Sequence, residues 1–475
     1  MTGYYTAAQI RAAEEATGDL LSGGVLMVRA ANAVAGTVLA RLRRRGAGVY
    51  GRRVLLVVGA GNNGGDALFA GATLVRRGVR VEALLLDPDR AHRAGLSAFR
   101  RVGGRVTDGV PQTLDVAVDA VVGLGGRGPL RPQAAAVFDV IAQTGATVVA
   151  VDLPSGIDPD TGVVHQPSVR ADVSVTFGAP RLAHLLAGPQ CGEVVVADIG
   201  IDLPESSVDS PSNTEVAQWW PLPGPHDDKY SQGVVGIVAG SATYPGAAVL
   251  STAAAVAATS GMTRYIGPAA EQVLAVCPEV VTAAGVGAAG RVQAWAIGPG
   301  IGTGDQAHEL LADVLAADLP TLIDADGLTV LARDPGLLAG RAAPTLLTPH
   351  AGEFARLAGA DPTPDRLTAV RALAERMNAT VLLKGRITLV ADPDGRVSGN
   401  DAGSSWAATA GAGDVLTGIA GALLSAGLPA RAAGVAAARV HGLAAARASG
   451  GAPIGASALR AAVAPALREL SDLRE

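Results

Sequence analysis

Short apolar runs recur along the chain, each followed by a turn rich in glycine or aspartate and then by an Ala/Leu-rich stretch of helical period. Runs this short, with no polar alternation, suit strands buried on both faces, and strand–turn–helix repetition is the pattern of parallel sheets covered by helices. In the first half the predicted strands are Val54–Val58, Val79–Leu85, Val116–Val122, Thr147–Val151, Asp172–Thr176 and Val194–Ala197, after a leading helix that starts near Thr6. In the second half they are Gly233–Val238, Ala294–Ile297, Thr321–Ile323, Thr345–Leu347, Thr380–Leu383 and Thr388–Ala391. Between the halves, Leu203–Tyr230 carries five prolines and several small polar residues with neither period, as an interdomain linker does. The expected organisation is a domain at 1–208, a linker at 209–221 and a second domain at 222–475, both α/β.

Composition narrows the function. A chain of 475 residues is too long for one core, and 49% hydrophobic against 17% charged residues leaves ample apolar surface to fold. A net charge of −5 and 3% aromatics provide neither the basic field nor the stacking platforms of a nucleic-acid binder. The two cysteines, Cys191 and Cys277, lie far apart with no C-x-x-C pair, and charged residues from Arg11 to Arg29 interrupt any export signal, so a reducing cytoplasm is expected. Ser231–Thr263 is free of charge and long enough to span a membrane. Gly233, Gly236, Gly240, Pro245 and Gly246 divide it into strand, turn and helix, and no membrane partner is expected. Lysine occurs twice, at Lys229 and Lys384, in a chain whose Lys and Arg total 38, which singles out the two ammonium groups.

Gly59-Ala60-Gly61-Asn62-Asn63-Gly64-Gly65-Asp66 follows an apolar strand and opens a helix, so its amides and the helix dipole are placed to receive an anion. It matches G-x-G-x-x-G, and a dinucleotide-dependent dehydrogenase reading finds Asp87 at the end of the next strand for a ribose. Against that reading, Asn62 and Asn63 crowd the turn with polar groups and Asp66 sets a carboxylate where a pyrophosphate would lie; a cation or a base is implied. Asp119, Asp152 and Asp198 fall within or just after strands, and in an open parallel sheet such strand ends line the ligand crevice. Asn63, Asp119 and Ser155 can offer oxygens to one monovalent cation, and Asp152 can exchange a proton with a substrate carbon or hydroxyl. For any single acid, the alternative is a cap or turn residue. The loop Gly123-Leu124-Gly125-Gly126-Arg127-Gly128-Pro129 is rich in donors, with one cation, and suits phosphate.

In the second half, Ala410-Gly411-Ala412-Gly413-Asp414 runs into an apolar helix, Val415 to Leu424. Its glycines let main-chain amides close on a transferring phosphoryl group, and Asp414 can take a proton from an attacking hydroxyl; a plain N-cap is the competing role. Lys384-Gly385-Arg386-Ile387-Thr388 joins two strands and places a lysine beside hydroxyl and backbone donors, a phosphate ligand. Trp295–Gly302 is a strand emptying into a glycine loop that holds Gly300 and Gly302. Thr348–Glu353 sets His350 between a strand and a helix, either as a ligand or as a structural histidine. Ala239–Ala248 lets substrate approach the backbone closely.

These motifs carry two resemblances. NNGGD, the D-x-x-x-G of Asp119–Gly123 and the VDLPSG of Val151–Gly156 resemble the NAD(P)H-hydrate epimerase domain over residues 6–203. That implies a Rossmann-like three-layer sandwich binding a damaged nicotinamide dinucleotide through Asn62–Asp66, Gly123–Pro129 and Asp152, with potassium at Asn63, Asp119 and Ser155. Family members often carry lysine in the segment that here reads Ala179-Pro180-Arg181. GAGD resembles the ribokinase-like superfamily. The K-x-x-x-G of Lys229–Gly233, AGSATYPGAA, GPGIG, TPHAGEF and KGRIT resemble, more narrowly, the NAD(P)H-hydrate dehydratase over residues 222–470. That implies a ribokinase-like α/β domain with substrate at Ala248, Gly300, Gly302, His350 and Asp414. Nucleotide would lie at Lys384, Gly385, Arg386, Ile387 and Thr388 and along Gly403–Gly413, including Gly411, Ala412 and Gly413. Relatives commonly have threonine where Ala412 stands.

Together the resemblances are those of bacterial bifunctional nicotinamide-hydrate repair enzymes. They imply epimerisation of the R and S hydrates of NADH and NADPH (NADHX and NADPHX) and dehydration of the S epimer with ADP as phosphoryl donor, giving AMP and phosphate, with magnesium on the nucleotide phosphates. ADP in place of ATP follows from the resemblance alone. A homo-oligomer is expected by analogy with related folds. Two other readings compete: a vitamin or sugar kinase, which would leave a stable phosphorylated product, and an NAD-binding sensor without catalysis.

Overall fold

The computed structural model describes residues 1–44, 46, 48–123 and 125–474. The chain opens on a short strand, β1 (Thr2–Tyr4), and divides into two compact units: Gly3–Ser206, and Ser207–Glu475 together with Met1–Thr2.

The N-terminal unit is built on β2 (Arg53–Val58), β3 (Arg80–Leu85), β4 (Arg105–Thr107), β5 (Val116–Ala120), β6 (Thr147–Val151), β7 (Val173–Phe177) and β8 (Glu193–Ala197). All pairings are parallel, in the order β4-β3-β2-β5-β6-β7-β8. Alternation along β2 explains the layers. Val54, Leu56 and Val58 join one core with the helices Val25–Arg44 and Asn62–Arg76, while Leu55 and Val57 join another with Phe138 and Ile141 of the helix Pro132–Thr144. Both faces are covered, so the strands read as unbroken apolar runs. Val25–Arg44 is long and apolar enough to cross a membrane by length and composition; here Leu26, Ala30, Val34, Val38 and Leu42 lie in the core. The edge strand β4, which periodicity does not reveal, is three residues long with two exposed.

The second unit continues with β9 (Val208–Ser210), β10 (Val234–Val238), β11 (Met262–Ile266), β12 (Val281–Ala283), β13 (Ala294–Ile297), β14 (Thr321–Ile323), β15 (Thr345–Leu347), β16 (Thr380–Leu383), β17 (Ile387–Ala391) and β18 (Val397–Asp401). They form an 11-stranded sheet, β1-β9-β18-β17-β16-β15-β14-β13-β10-β11-β12. It is mixed: β12 to β16 pair in parallel, whereas β16–β17 and β17–β18 are antiparallel. The helices Pro245–Ala258, Ala412–Ser425 and Ala430–Ser449 share one core with Ile237, Ala294 and Leu322. Twelve of the fourteen residues in Ala412–Ser425 are buried, which is why that helix is apolar all round. The charge-free run 231–263 resolves into β10, the helix Pro245–Ala258 and the start of β11.

The segment expected as a linker, 209–221, is not one. It completes β9 and forms the helix Asn213–Trp219, opened by a Ser212–Glu215 capping box. Val216, Ala217 and Trp220 are buried in the second unit's core, and the Trp220 indole donates to the Ala258 carbonyl at 3.0 Å. A seven-residue helix flanked by prolines is too short for a 3.6-residue period to show.

Candidate active sites

From β2 the N-terminal sheet grows through β3 and β4 on one side, then resumes at β5 on the other, so the C-terminal ends of β2 and β5 part at a switch point, where open α/β sheets take their ligands. A cavity of about 790 Å³ opens there, in the range of small-molecule sites. Asn62, Asn63, Asp66, Gly123, Gly125, Gly126, Arg127, Gly128, Pro129 and Asp152 line it. Gly64 and Gly65 do not; they lie on the packed side of the helix, Gly65 against His92. Leu124 lies outside the described residues. The two loops touch at Gly59, where a Cβ would sit 2.0 Å from the Val121 carbonyl oxygen, so only glycine fits. Asp198 stays apart and accepts the Gly200 amide in its own turn at 2.8 Å. Asp87 lines the cavity and also accepts the Arg90 amide at 3.3 Å.

Two carboxylates at this site are held in different ways. Asp119, on β5, accepts the Ser155 amide and hydroxyl, each at 2.7 Å, and the Val121 amide at 3.2 Å. Burial nevertheless pushes its pKa up to about 6 against those hydrogen bonds, and it makes no ion pair among the described residues. Asn63 adjoins the same loop: its amide nitrogen donates to Val151 O at 2.7 Å, and a side chain at Gly123 would collide with it. Ser155 and Asp119 therefore meet directly, while Asn63 reaches the neighbouring Val151 and Gly123. Asp152, 2% exposed, pairs through Oδ1 with the wholly buried Arg181 guanidinium at 3.0 Å and accepts the Thr176 hydroxyl at 3.0 Å. Asp66 faces it across the cavity lining. Burial and then the charges of Asp152 and Glu14 raise the Asp66 pKa well above the usual carboxylate value, which favours its neutral, proton-donating form.

In the second unit the switch point lies between β10 and β13, and the loops after β10, β13, β14, β15 and β16 gather at their C-terminal ends. Gly240 N–H donates to Pro299 O at 2.7 Å, Gly300 lies against Tyr244 and Ala247, and Gly302 N–H donates to Asp326 Oδ2 at 2.9 Å. Gly300 and Gly302 thus lie on the loop after β13, beside the start of the helix Pro245–Ala258, in which Ala248 is fully buried against Gly240. His350 caps the helix Ala351–Ala358: its Nδ1 accepts the Gly352 and Glu353 amides at 3.0 and 3.3 Å, while the ring remains exposed. The structural role is thus the one seen, with Nε2 3.4 Å from Glu353 Oε1.

Asp414 is not an N-cap. Gly411, at φ +82°, caps the helix Ala412–Ser425, and Asp414 lies in its first turn. In the first turn, the Gly413 and Asp414 amides have no main-chain acceptor among the described residues. Beside them, Lys384 Nζ donates to Asp324 Oδ1 at 2.7 Å and lies 3.5 Å from Glu353 Oε2, and Thr417 donates to Asp324 Oδ2 at 2.6 Å. A Cβ on Gly413 would be 3.6 Å from Lys384 Nζ and 3.8 Å from Asp324 Oδ2. Burial works against the Lys384 charge, but Asp324 and Glu353 outweigh it and raise its pKa. Burial, then the Asp324 charge, push Asp414 up to about 6, against the pull of Lys384. Arg386 bridges to Asp401 and Gly403, which draws the start of the Gly403–Gly413 loop beside Gly385 and Ile387. Thr388 spends its hydroxyl on Gly385 O at 3.0 Å.

Each half of the chain matches a family model: residues 23–183 the "YjeF-related protein N-terminus" and residues 235–463 "NAD(P)H-hydrate dehydratase". Over 427 residues, 90% of either chain, it is 56% identical to the bifunctional NAD(P)H-hydrate repair enzyme Nnr of Mycobacterium leprae, and equally to that of Mycobacterium tuberculosis H37Rv. The chain belongs to the bifunctional NAD(P)H-hydrate repair enzymes. It is therefore an epimerase and a dehydratase of hydrated nicotinamide nucleotides. Its second half also resembles the ADP/ATP-dependent NAD(P)H-hydrate dehydratase of Bacillus subtilis, co-crystallised with ATP and Mg²⁺ (TM-score 0.50, 25% identity, 55% of this chain and 99% of that one). A ribokinase-like protein of Enterococcus faecalis shares the fold at TM-score 0.52 and 22% identity, covering 57% of this chain and 99% of that one.

Within this repair enzyme, several residues at the two sites escape sequence reasoning. Glu14 and Arg11 reach the N-terminal cavity from a segment without a motif, and Arg181 reaches it from the segment where relatives often carry lysine. Glu353 stands in the TPHAGEF motif and Asp324 in none, and only the fold shows that both close on Lys384.

Proposed function

We propose that the two activities divide between the two units, with epimer exchange at Asp152 and dehydration at Asp414. In the second unit, Asp414 takes the proton of the C6 hydroxyl as that oxygen attacks the terminal phosphoryl of ADP; AMP leaves and a phosphate ester forms. The C6–O bond then breaks with push from the ring nitrogen, a proton leaves the neighbouring ring carbon, and NAD(P)H and phosphate are released. Hydroxide is a poor leaving group because water has a pKa of about 15.7, whereas the second pKa of a phosphate is about 6. The observation that carries this reading is a half-buried carboxylate at a glycine-capped helix start, next to unbonded amides and a protonated lysine. Lys384, Gly385–Thr388 and Gly411–Gly413 are assigned to the nucleotide, and Ala248, Gly300, Gly302 and His350 to the hydrate. Magnesium is assigned to the nucleotide's own phosphates, whose charge it neutralises. Among the described residues no three His, Cys, Asp or Glu side chains gather as a metal cage.

In the first unit, Asp152 moves the proton and Arg127 with the Asn62–Asp66 and Gly123–Pro129 segments holds the dinucleotide. Asn63, Asp119 and Ser155 would hold potassium, which supplies a fixed positive charge beside the buried Asp119.

The test is absorbance at the reduced-nicotinamide wavelength, using mixed-epimer hydrate with ADP or with ATP. Asp414→Ala is expected to abolish nucleotide-dependent loss of hydrate while epimer exchange persists, and Asp152→Ala to do the reverse. Turnover with ATP alone rejects ADP as donor, and a stable phosphorylated product favours a small-molecule kinase.

A further inference from the structure

His184 joins the backbones of the two residues whose side chains form the buried ion pair of the N-terminal site. Its Nδ1 accepts the Arg181 amide at 2.8 Å, capping the short helix Leu182–Leu186, and its Nε2 lies 2.9 Å from the Asp152 carbonyl oxygen. Because Nδ1 accepts, the ring proton is on Nε2 and is donated to Asp152. The ring is 5% exposed, and burial, opposed by the Asp152 charge, lowers its pKa to about 4, so one tautomer persists at neutral pH.

Asp152 needs such a hold. Its φ of +69° is in the left-handed region, unfavourable for a residue with a Cβ. Thr176 and Arg181 both engage Oδ1, whereas Oδ2 is buried without a partner among the described residues and Asp152 lines the cavity. The carboxylate is thus asymmetric: one oxygen is fastened to the protein and the other keeps its hydrogen-bonding capacity unspent.

We propose that His184 is a positioning residue of the epimerase, gripping the Asp152 carbonyl to hold the strained backbone and thereby turn Oδ2 toward the substrate. This rests on the reading of Asp152 as the proton-transfer group. The ring's second contact, on the Arg181 amide, aligns the guanidinium with Oδ1, so one side chain sets both members of the pair.

The experiment uses the full-length chain and measures the interconversion of separated hydrate epimers without nucleotide, for wild type, His184→Gln, His184→Asn and Asp152→Asn. The amide nitrogen of glutamine reaches the Nε2 position and that of asparagine does not. His184→Asn is expected to lower kcat for exchange about 10- to 100-fold at nearly unchanged KM, the scale of a small misplacement of a reacting group. His184→Gln is expected to retain most of it, and nucleotide-dependent dehydration to stay at wild-type rate in both. Wild-type kcat in His184→Asn with an inactive Asp152→Asn overturns the positioning role, and an active Asp152→Asn overturns the reading beneath it. If His184→Gln falls as far as His184→Asn without a change in melting temperature, the grip on Asp152 is likewise rejected. Should His184→Asn fail to fold, His184→Gln still decides, since it keeps the Asp152 contact and gives up the cap.

Discussion

Asp414 and Asp119 are both carboxylates whose pKa burial has pushed to about 6, yet the consequences differ because one is assigned to a hydroxyl and the other is enclosed. In the proposed role as base Asp414 must be ionised, so kcat/KM for dehydration is expected to fall as pH drops through about 6. Asp324→Asn removes a neighbouring negative charge, and its acid limb should move to lower pH; a limb that stays in place or rises contradicts the assigned coupling. For Asp119 the sign runs through stability. A carboxyl with a raised folded pKa favours the native state below its unfolded pKa, near 4, and that contribution is lost as pH climbs through 6. A cation bound to the ionised form offsets the loss. Potassium is therefore expected to raise the melting temperature at pH 8 more than sodium does, with the difference fading below pH 6 and absent in Asp119→Asn.

Among the elements, the helix Ala412–Ser425 shows how local geometry becomes chemistry. Its apolar circumference commits it to the core, and the cap that starts it is the left-handed Gly411, ahead of the Gly413 and Asp414 amides in its first turn. A Cβ on Gly411 would lie 2.6 Å from Leu250 and 3.0 Å from Ala456, in addition to the unfavourable φ. Gly411→Ala is expected to cost about 1–3 kcal/mol in denaturant unfolding of the second unit and to suppress dehydration while epimer exchange continues. A wild-type unfolding midpoint would show that the turn relaxes. Strands such as β2, β5 and β13 were readable because burial on both faces leaves unbroken apolar runs. Those missed lacked that signature: β1, β4, β9 and β12 are three residues long, β11 sets polar Thr263 and Arg264 side by side, and β18 reads Val-Ser-Gly-Asn-Asp.

Over the whole molecule, the segment after Ser206 changes where the second unit begins. Val216 and Trp220 are core residues, and the Arg439 guanidinium holds the Pro211 carbonyl at 2.8 Å and the Asn213 side chain at 3.2 Å. A chain starting at Ser207 is expected to melt well above one starting at Leu222, which loses the buried Val208, Val216, Ala217 and Trp220, the larger ones worth about 1.5–3 kcal/mol each; equal melting temperatures would make the segment dispensable. Sequence alone determined the α/β class, the strand-to-loop positions of NNGGD, VDLPSG, GPGIG and GAGD, and the two lysines, because each is a local matter of period, turn chemistry or residue type. What only tertiary structure decided are the partnerships: Arg181 and His184 on Asp152, and Asp324 and Glu353 on Lys384. Those partners stand 29 (Asp152–Arg181) to 60 (Asp324–Lys384) residues apart in the chain. A parallel sheet brings the ends of its strands together in space, and no local pattern records which side chains will meet there.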